Sequence, residues 1–265
     1  MDKKIEIFIL THKEITESYD DSIYKPLLNG AVYNDKGFGY LNDNTGDNIS
    51  KLNPDYSELT GQYWAWKNTD NDIIGFCHYR RWFIRNFKLD KLTKEDILKS
   101  LDEYDIILAK KMKLRCSHEE FILENLKKEG KPEIDEIGIA IRNVLKKYYP
   151  EYVEDYDDYL AGNYLHAFNM FISNRQLADD YFKWLFDFLS KFDEEIKSSE
   201  SPNLKRTTGY ASERLLPVYA FKNNLKIKEY EILRTESPYP RLSLLYNKFP
   251  KVQGIMERLY SLVRG

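Results

Sequence analysis

Two guanidinium groups and an imidazole follow directly on an apolar run in the segment IIGFCHYRRWF, residues 73–83. The apolar run has the composition of a buried strand, and His78, Arg80 and Arg81 stand at its end. Arginine binds phosphate through a planar, two-pronged donor set, so arginines clustered at a strand end suit a diphosphate. The alternative is that the arginines form surface ion pairs and His78 is a hydrogen-bonded core histidine. The segment predicts a diphosphate site made of fixed positive charge.

Polar and basic side chains also stand at the ends of the other predicted strands. They are Thr11, His12 and Lys13 after the first strand, Lys110 and Lys111 after the third, and His166 at the start of the fourth. Because an open α/β sheet binds ligands beyond the carboxyl ends of its strands, we expect these groups to converge on one site, where such an array suits a nucleotide diphosphate. No G-x-x-x-x-G-K-[ST] or G-x-G-x-x-G motif follows a predicted strand, which excludes an ordinary kinase or dehydrogenase.

Nucleotide-sugar transferases of the Rossmann-like type commonly end a central strand in Asp-x-Asp, which holds a divalent metal on the donor diphosphate. In this chain His78-Tyr79-Arg80 takes that place. We therefore expect cationic side chains to replace the metal in stabilising the departing diphosphate, and we predict no metal site.

A second constellation is RTTGYASERL, residues 206–215, in which Arg206 and Arg214 accompany Glu213. A glycosyl transfer that inverts configuration needs a carboxylate to take the proton of the attacking hydroxyl, and Glu213 is the candidate by residue type. Its alternative is a plain ion pair between Glu213 and Arg214. We expect both arginines to contact the donor.

The loop at residues 42–50 supplies further donor-binding candidates, Asp43, Asp47 and Asn48, and its two acids are alternative bases or ribose ligands. In the YWAW segment, Trp64 or Trp66 is a candidate for stacking on an acceptor sugar, because both cannot face the core of a regular helix. The alternative is that both tryptophans pack in the core.

Composition limits the class of protein. The chain has 265 residues, 42% of them apolar, and a net charge of −3, which gives no overall field to attract nucleic acid. Two cysteines argue for a reducing compartment, and the N-terminus carries no signal-like segment. No stretch approaches the roughly 20 apolar residues of a membrane helix. We expect a cytoplasmic protein, and its aromatic fraction of 15% suits sugars as well as cores.

The predicted elements alternate along the chain. Strands are expected at 5–10, 73–79, 104–111, 166–173 and 226–233, and helices at 55–68, 93–104, 174–196 and 209–224. This order predicts one α/β domain over residues 1–265, with a mixed, mostly parallel Rossmann-type sheet flanked by helices. Residues 118–159 are expected to form a helical insertion. The basic, amphipathic tail at 238–265 is typical of a helix on an anionic membrane surface, or of a helix docked on the protein itself.

Several segments together resemble the family known as domain of unknown function 4422. They are THK at 11–13, LLNGA at 27–31, NDNTGDNIS at 42–50, YSELTGQYWAWKN at 56–68, IIGFCHYRRWF at 73–83, HAFNMFI at 166–172 and RTTGYASERL at 206–215. The resemblance covers residues 5–233. It implies a GT-A-like fold and membership of the exopolysaccharide, capsule and O-antigen glycosyltransferases, some of which transfer β-galactofuranose from UDP-galactofuranose.

The resemblance also implies roles for individual residues. Thr11, His12 and Lys13, with the 42–50 loop, would hold the nucleotide, and His78 with the two arginines that follow it would face the diphosphate. We expect His78, together with Glu213, to be a catalytic residue. We expect an inverting, metal-independent transferase that moves a hexose from a UDP-sugar to a lipid-linked oligosaccharide at the inner face of the membrane. The alternatives are a glycan-binding or scaffold subunit without chemistry, and a transferase that uses GDP or dTDP.

Overall fold

The computed structural model describes residues 3–130, 134–197 and 206–237. A central sheet carries an apolar cluster on each face. The larger cluster lies between the sheet and most of the helices, and the smaller one lies under a single helix and the loop that precedes the second strand. The predicted α/β architecture, a sheet flanked by helices, is confirmed.

The described residues form ten strands, eight helices and three short 3₁₀ turns. The strands are β1 (Ile5–Thr11), β2 (Tyr24–Leu28), β3 (Leu41–Asn42), β4 (Ile73–His78), β5 (Arg81–Ile84), β6 (Ile106–Ala109), β7 (Met112–Lys113), β8 (Tyr164–Leu165), β9 (Phe171–Asn174) and β10 (Ile227–Arg234). The helices are α1 (Asn53–Tyr56), α2 (Leu59–Asn68), α3 (Lys94–Glu103), α4 (His118–Lys128), α5 (Glu136–Tyr148), α6 (Val153–Ala161), α7 (Arg175–Lys197) and α8 (Thr207–Lys222). The 3₁₀ turns are Ala31–Tyr33, Ser50–Leu52 and Pro150–Tyr152.

The main sheet has the strand order β3-β2-β1-β4-β5-β10-β6-β9, and β4 also pairs with β9, so five strands close into a ring. Among the described residues, four of its pairings are parallel and four are antiparallel. The sheet is therefore mixed, and the expectation of a mostly parallel sheet is wrong. Strands β1, β4, β10 and β6 all run the same way, so their carboxyl ends share one edge.

The two central strands are apolar because both of their faces are covered. Phe8 and Phe76 belong to the larger cluster, while Ile7 and Cys77 belong to the smaller one. Such strands lack the alternation of apolar and polar residues that a half-exposed strand shows. This continuous burial made β1 and β4 visible in the sequence.

The helix predicted at 55–68 is broken in two. Ser57 has φ 52° and ψ −124°, which no helix allows, and it separates α1 from α2. The side chain of Asn53 donates to the Ser57 carbonyl at 2.8 Å and fixes this bend. Asp55, in the first of the two helices, accepts the backbone N–H of Thr207 at 2.9 Å and caps α8, where its charge also suits the helix dipole.

The strand predicted at 166–173 is shorter than expected. Only Phe171–Asn174 joins the main sheet, while Tyr164–Leu165 pairs with β7 in a separate two-stranded ribbon. Phe168 interrupts the extended run because its φ of 74° lies in the left-handed region, which a bulky side chain rarely adopts. Because β9 runs antiparallel to β4 and β6, the residues that directly precede it lie at the edge formed by the carboxyl ends of those strands.

The segment 118–159 forms α4, α5 and α6. Helix α5 packs on α7, and both α5 and α6 contact α8, so their apolar side chains complete the larger cluster. No helix within the described ranges is long and apolar enough to cross a membrane. The predicted amphipathic tail at 238–265 lies outside the described residues.

Candidate functional site

The carboxyl ends of β1 and β4 open into a cavity of about 330 Å³. The cavity is lined from the strand ends by Thr11, His12, His78, Arg80 and Arg81. The crevice beyond the strand ends is where open α/β sheets bind ligands. The structure therefore brings together two of the strand-end clusters that the sequence predicted would converge.

The arginine pair lies on a tight hairpin between β4 and β5. His78 pairs with Arg81 across this hairpin, so Tyr79 and Arg80 form its two-residue turn. The Tyr79 N–H donates to the Leu10 carbonyl at 3.1 Å, and the Arg80 carbonyl accepts the N–H of the residue that follows β10 at 2.9 Å. The hairpin is thus held between β1 and β10, which fixes both guanidinium groups at the cavity.

His78 is a neutral donor at this edge. Its Nδ1 lies 3.2 Å from Nη1 of Arg81. Because a guanidinium only donates, Nδ1 must accept and the ring proton must sit on Nε2. Burial, above all, lowers the pKa of His78 to about 4, so the ring is uncharged at neutral pH. Within the described residues the buried Nε2 has no hydrogen-bond partner, which leaves a donor without an acceptor.

The two hairpin arginines are similarly undersatisfied. The Nε atoms of Arg80 and Arg81 are buried and have no acceptor among the described residues. Arg81 lies 3.7 Å from the Glu236 carboxylate and 4.2 Å from the centre of the Phe168 ring. Because buried polar groups are normally paired, donors left over in one cavity point to an anionic ligand.

The positive charges act together at His12, on the rim of the cavity. The pKa of His12 is lowered first by its partial burial and then by the charges of Lys13, Arg80 and Arg206. Charges from the β1 exit, the hairpin and the start of α8 therefore reach one point. Lys13 contributes to this field although its side chain is outside the cavity lining.

Helices α1, α2 and α8 supply the rest of the lining. Arg206 precedes α8 with φ 60°, and its Nε donates to Ser57 Oγ at 2.9 Å. Glu213 lies nearly two turns into α8 and Glu58 lies at the start of α2, and both line the cavity. Burial first, and then the Glu58 carboxylate, raise the pKa of Glu213 to about 7. The cavity thus combines fixed cations with a carboxyl group that titrates near neutral pH.

Other predicted site residues lie elsewhere. The loop acid Asp43 is buried and accepts the backbone N–H groups of Gly30 and Ala31 at 2.8 and 2.9 Å, so its oxygens are used to hold the turn after β2. Asp47 and Asn48 are exposed and bond within their own loop and to α2. None of the three lines the cavity.

Two further candidates are paired away from the cavity. His166 is buried, and its Nε2 lies 3.0 Å from Glu229. Arg214 makes a two-pronged contact with Asp135, at 2.5 and 3.1 Å, which joins the start of α5 to α8. Neither residue lines the cavity, and each side chain contacts a protein carboxylate instead.

Trp64 and Trp66 are both buried in the structure. Trp64 donates to Thr45 of the 42–50 loop at 2.9 Å, while Trp66 donates to Asp179 and stacks on Phe186 of α7. Helix α2 is covered on nearly all sides, so the premise that one tryptophan must face outward fails. Neither ring reaches the cavity.

The sequence analysis missed part of the lining. The additional polar side chains are Asn29, Asn53, Ser57 and Glu58. Glu58 stands within the YSELTGQYWAWKN motif, inside the helix predicted at 55–68, and the sequence analysis gives it no role at a site. The break at Ser57 is what turns Glu58 into the cavity, and the sequence carries no separate signal for that break.

Thr11 lines the cavity, and its hydroxyl also closes the turn after β1 by bonding the carbonyl and N–H of Lys13 at 2.6 and 3.0 Å. In the part of the chain that the structure describes, no group of three His, Cys, Asp or Glu side chains is placed to hold a metal ion.

Comparisons with known proteins give one family match and one structural match. The profile of the family described as Domain of unknown function (DUF4422) matches residues 6–224. The apo structure of WbbM, a bifunctional glycosyltransferase, superposes with a TM-score of 0.75 at 27% identity over 88% of this chain. The match covers 46% of the WbbM chain, so this chain spans about half of that neighbour's length. The comparison with curated proteins gives no match.

Proposed function

Since the chain belongs to the family described as Domain of unknown function (DUF4422), we propose that it is a glycosyltransferase that uses a nucleotide-sugar donor. The observation that carries the proposal is the cavity itself, in which the unsatisfied donors of His78, Arg80 and Arg81 accompany a carboxyl group, Glu213, with a pKa of about 7. The similarity to a glycosyltransferase over most of the chain supports the same reaction class.

The donor diphosphate is proposed to lie against the guanidinium groups of Arg80, Arg81 and Arg206. Arginine offers paired, directional donors that suit phosphate oxygens, and these groups are already held by the hairpin and by Ser57. The neutral His78 orients Arg81 through Nδ1 and has its Nε2 proton left to donate. In this proposal His78 orients and binds, whereas proton transfer belongs to Glu213.

The chemical step follows from these groups. The acceptor hydroxyl oxygen forms a bond to the anomeric carbon while the bond from that carbon to the diphosphate oxygen breaks. The hydroxyl proton passes to the Glu213 carboxylate, and the bonding electron pair leaves with the nucleoside diphosphate. Fixed guanidinium charge stabilises the oxygen that departs, which is the role that a divalent metal plays in other transferases. Attack from the face remote from the leaving group inverts the configuration.

The finer assignments rest on the family resemblance. The proposed donor is a UDP-hexose, with galactofuranose first among the sugars to test. The proposed acceptor is a lipid-linked oligosaccharide of a surface polysaccharide, reached from the cytoplasmic face of the membrane. Thr11 and His12, at the end of β1, are proposed to contact the nucleotide.

The test is a transfer assay with UDP-, GDP- and dTDP-hexoses and a lipid extract as the acceptor source, with released nucleoside diphosphate as the readout. We expect the wild-type protein to release UDP from a UDP-sugar at a rate that rises with added acceptor. In Arg80→Ala this rate should fall by about 100-fold or more. Binding of glycan without binding of any nucleotide would replace the proposal with a glycan-binding role. Unchanged turnover in Arg80→Ala would remove that residue from the donor site.

A further inference from the structure

A second carboxylate, Glu58, lines the same cavity as Glu213, and the reaction described above does not use it. Glu58 stands between α1 and α2, directly after the bend at Ser57. The Asn53 amide holds that bend by donating to the Ser57 carbonyl and to Thr60 Oγ1, at 2.8 and 3.0 Å. A backbone in a rarely populated conformation, fixed by its neighbours, therefore presents Glu58 to the cavity.

Asn169 connects Glu58 with the helix that carries Glu213. Its Nδ2 donates to Glu58 Oε1 at 3.3 Å and to Ser212 Oγ at 2.6 Å, and Ser212 directly precedes Glu213. The backbone carbonyl of Asn169 accepts a buried hydrogen bond from Gln62 of α2 at 2.7 Å. One side chain on the loop before β9 thus ties the start of α2 to α8. The relative position of the two carboxylates is therefore set by the fold.

The charged groups that act on Glu213 come from four places. They are Glu58 before α2, Arg81 on the hairpin, Arg206 at the start of α8 and Arg214 on the same helix. His78 on the hairpin is neutral at pH 7 because burial, above all, lowers its pKa to about 4.

Each of the three arginines has another partner. Arg81 faces Glu236, Arg206 donates to Ser57, and Arg214 binds Asp135. Within the described residues neither Glu58 nor Glu213 forms an ion pair with a nitrogen inside 4.0 Å. The three arginines near Glu213 are therefore partly engaged by other groups. Glu58 lines the same cavity as Glu213 and has no ion-pair partner among the described residues.

We propose that Glu58 is a positioning residue whose negative charge keeps Glu213 a competent proton acceptor at neutral pH. This inference rests on the proposed function, in which Glu213 receives the proton of the acceptor hydroxyl. A carboxylate of ordinary basicity takes up a proton poorly at pH 7, and a neighbouring like charge raises its basicity. The hydrogen bond from Asn169 holds Glu58 in the place where its charge acts on Glu213.

The experiment is a carbon-13 NMR titration of the full chain labelled at the glutamate side-chain carboxyl carbon, with Glu213→Gln used to assign the Glu213 signal. In wild type the Glu213 midpoint is expected near pH 7. In Glu58→Gln it should fall by about one pH unit, because a like charge has been removed. Glu58→Asp should keep most of the wild-type value. An unchanged midpoint in Glu58→Gln overturns the inference.

Two further variants make the result specific. Glu58→Ala removes the charge and leaves room for water, so it should lower the midpoint at least as much as Glu58→Gln does, and it replaces that variant if the latter fails to fold. Glu236→Gln removes a carboxylate that faces Arg81 at 3.7 Å, and it should move the midpoint much less, because Glu58 is the acid whose charge raises the pKa of Glu213. Equal shifts in Glu236→Gln and Glu58→Gln would show a general field effect and contradict the inference.

The titration needs neither donor nor acceptor, so its result is independent of the transferase assignment. A fall of the midpoint in a protein that binds no nucleotide would leave the carboxylate pair standing and remove the proposed reaction. A protein that transfers sugar but shows no fall in Glu58→Gln would leave the reaction standing and remove the role of Glu58.

Discussion

Glu213 and Arg214 are consecutive residues on α8, yet they end in opposite surroundings. Arg214 is nearly buried and is held by both oxygens of Asp135 at the start of α5. Glu213 lines the cavity, forms no ion pair within 4.0 Å among the described residues, and has a pKa raised to about 7, first by burial. Helix α8 thus carries Arg214, which pairs with a carboxylate at the start of α5, next to Glu213, which lines the cavity and has no ion-pair partner among the described residues.

The same contrast separates Asp43 from His78. Asp43 is completely buried, and its oxygens accept from two backbone N–H groups and from Ser50 Oγ. His78 is also buried, but its Nε2 has no acceptor within the described ranges. Burial alone does not separate a structural polar group from a functional one. His78 differs from Asp43 because the described residues leave its Nε2 without a partner, in a cavity that Arg80 and Arg81 also line.

The largest expected effect on turnover comes from replacing Glu213, the carboxyl group of α8 that lines the cavity. Glu213→Gln keeps the shape of the side chain but cannot take a proton at neutral pH, so turnover should fall by about 10²- to 10⁴-fold. Affinity for UDP should stay within a few-fold of wild type, because the carboxylate is not proposed to bind the diphosphate.

The matched control is Glu119→Gln, which changes an exposed acid on α4 and should leave turnover unaltered. Measured rates of sugar transfer decide the matter. A Glu213→Gln enzyme as fast as wild type would assign the base to another residue.

Removing Asp135, the partner of Arg214, should instead lower the stability of the folded protein. Asp135→Ala leaves the Arg214 guanidinium nearly buried without a counterion, which costs about 3–5 kcal/mol of unfolding free energy. Urea titration measures this cost, and Asp135→Ala combined with Arg214→Met should recover part of it. A single variant as stable as wild type would show that the pair does not hold α5 to α8.

The raised pKa of Glu213 also predicts how stability depends on pH. Above the ordinary carboxyl range and up to about pH 7, the folded chain keeps a proton on Glu213 that the unfolded chain has released. The unfolding free energy should therefore decrease as pH rises through this window, by on the order of 2 kcal/mol from this group. Glu213→Gln should lack that part of the decrease. Identical urea midpoints for the two proteins at both pH 5 and pH 8 would contradict the assignment.

The smallest expected effect is that of a chelator. If guanidinium groups alone stabilise the departing diphosphate, transfer rates in EDTA should equal those in buffer and should not rise when Mn²⁺ is restored. A loss of activity in EDTA that Mn²⁺ reverses would show that a metal ion shares this role with Arg80 and Arg81.

The strand-end part of the site was visible in the sequence because its signal is local. An apolar run that ends in His78, Arg80 and Arg81 shows both the buried strand and the charges at its tip, and the structure confirms β4 and places these residues at the cavity. The helix that carries Glu213 was likewise predicted from the residues around it, and the structure confirms it as α8. These features depend on a few neighbouring residues, so a single sequence carries them.

The features that escaped prediction depend on contacts between distant segments. Asp55 caps α8 rather than its own helix, across more than 150 residues of chain. Glu58 reaches the cavity only because the chain bends at Ser57. Trp64 and Trp66 are buried because α7 and the 42–50 loop cover opposite parts of α2. Local propensity does not report such tertiary contacts.

Calorimetric titration of the protein with UDP tests the central claim most directly, since the claim is that fixed positive charge in one cavity binds a diphosphate. The account predicts binding in the presence of EDTA that weakens as salt is raised and falls by about 100-fold or more in the Arg80→Ala, Arg81→Ala double variant. Absence of UDP binding by the wild-type protein, or equal affinity in the double variant, would contradict it.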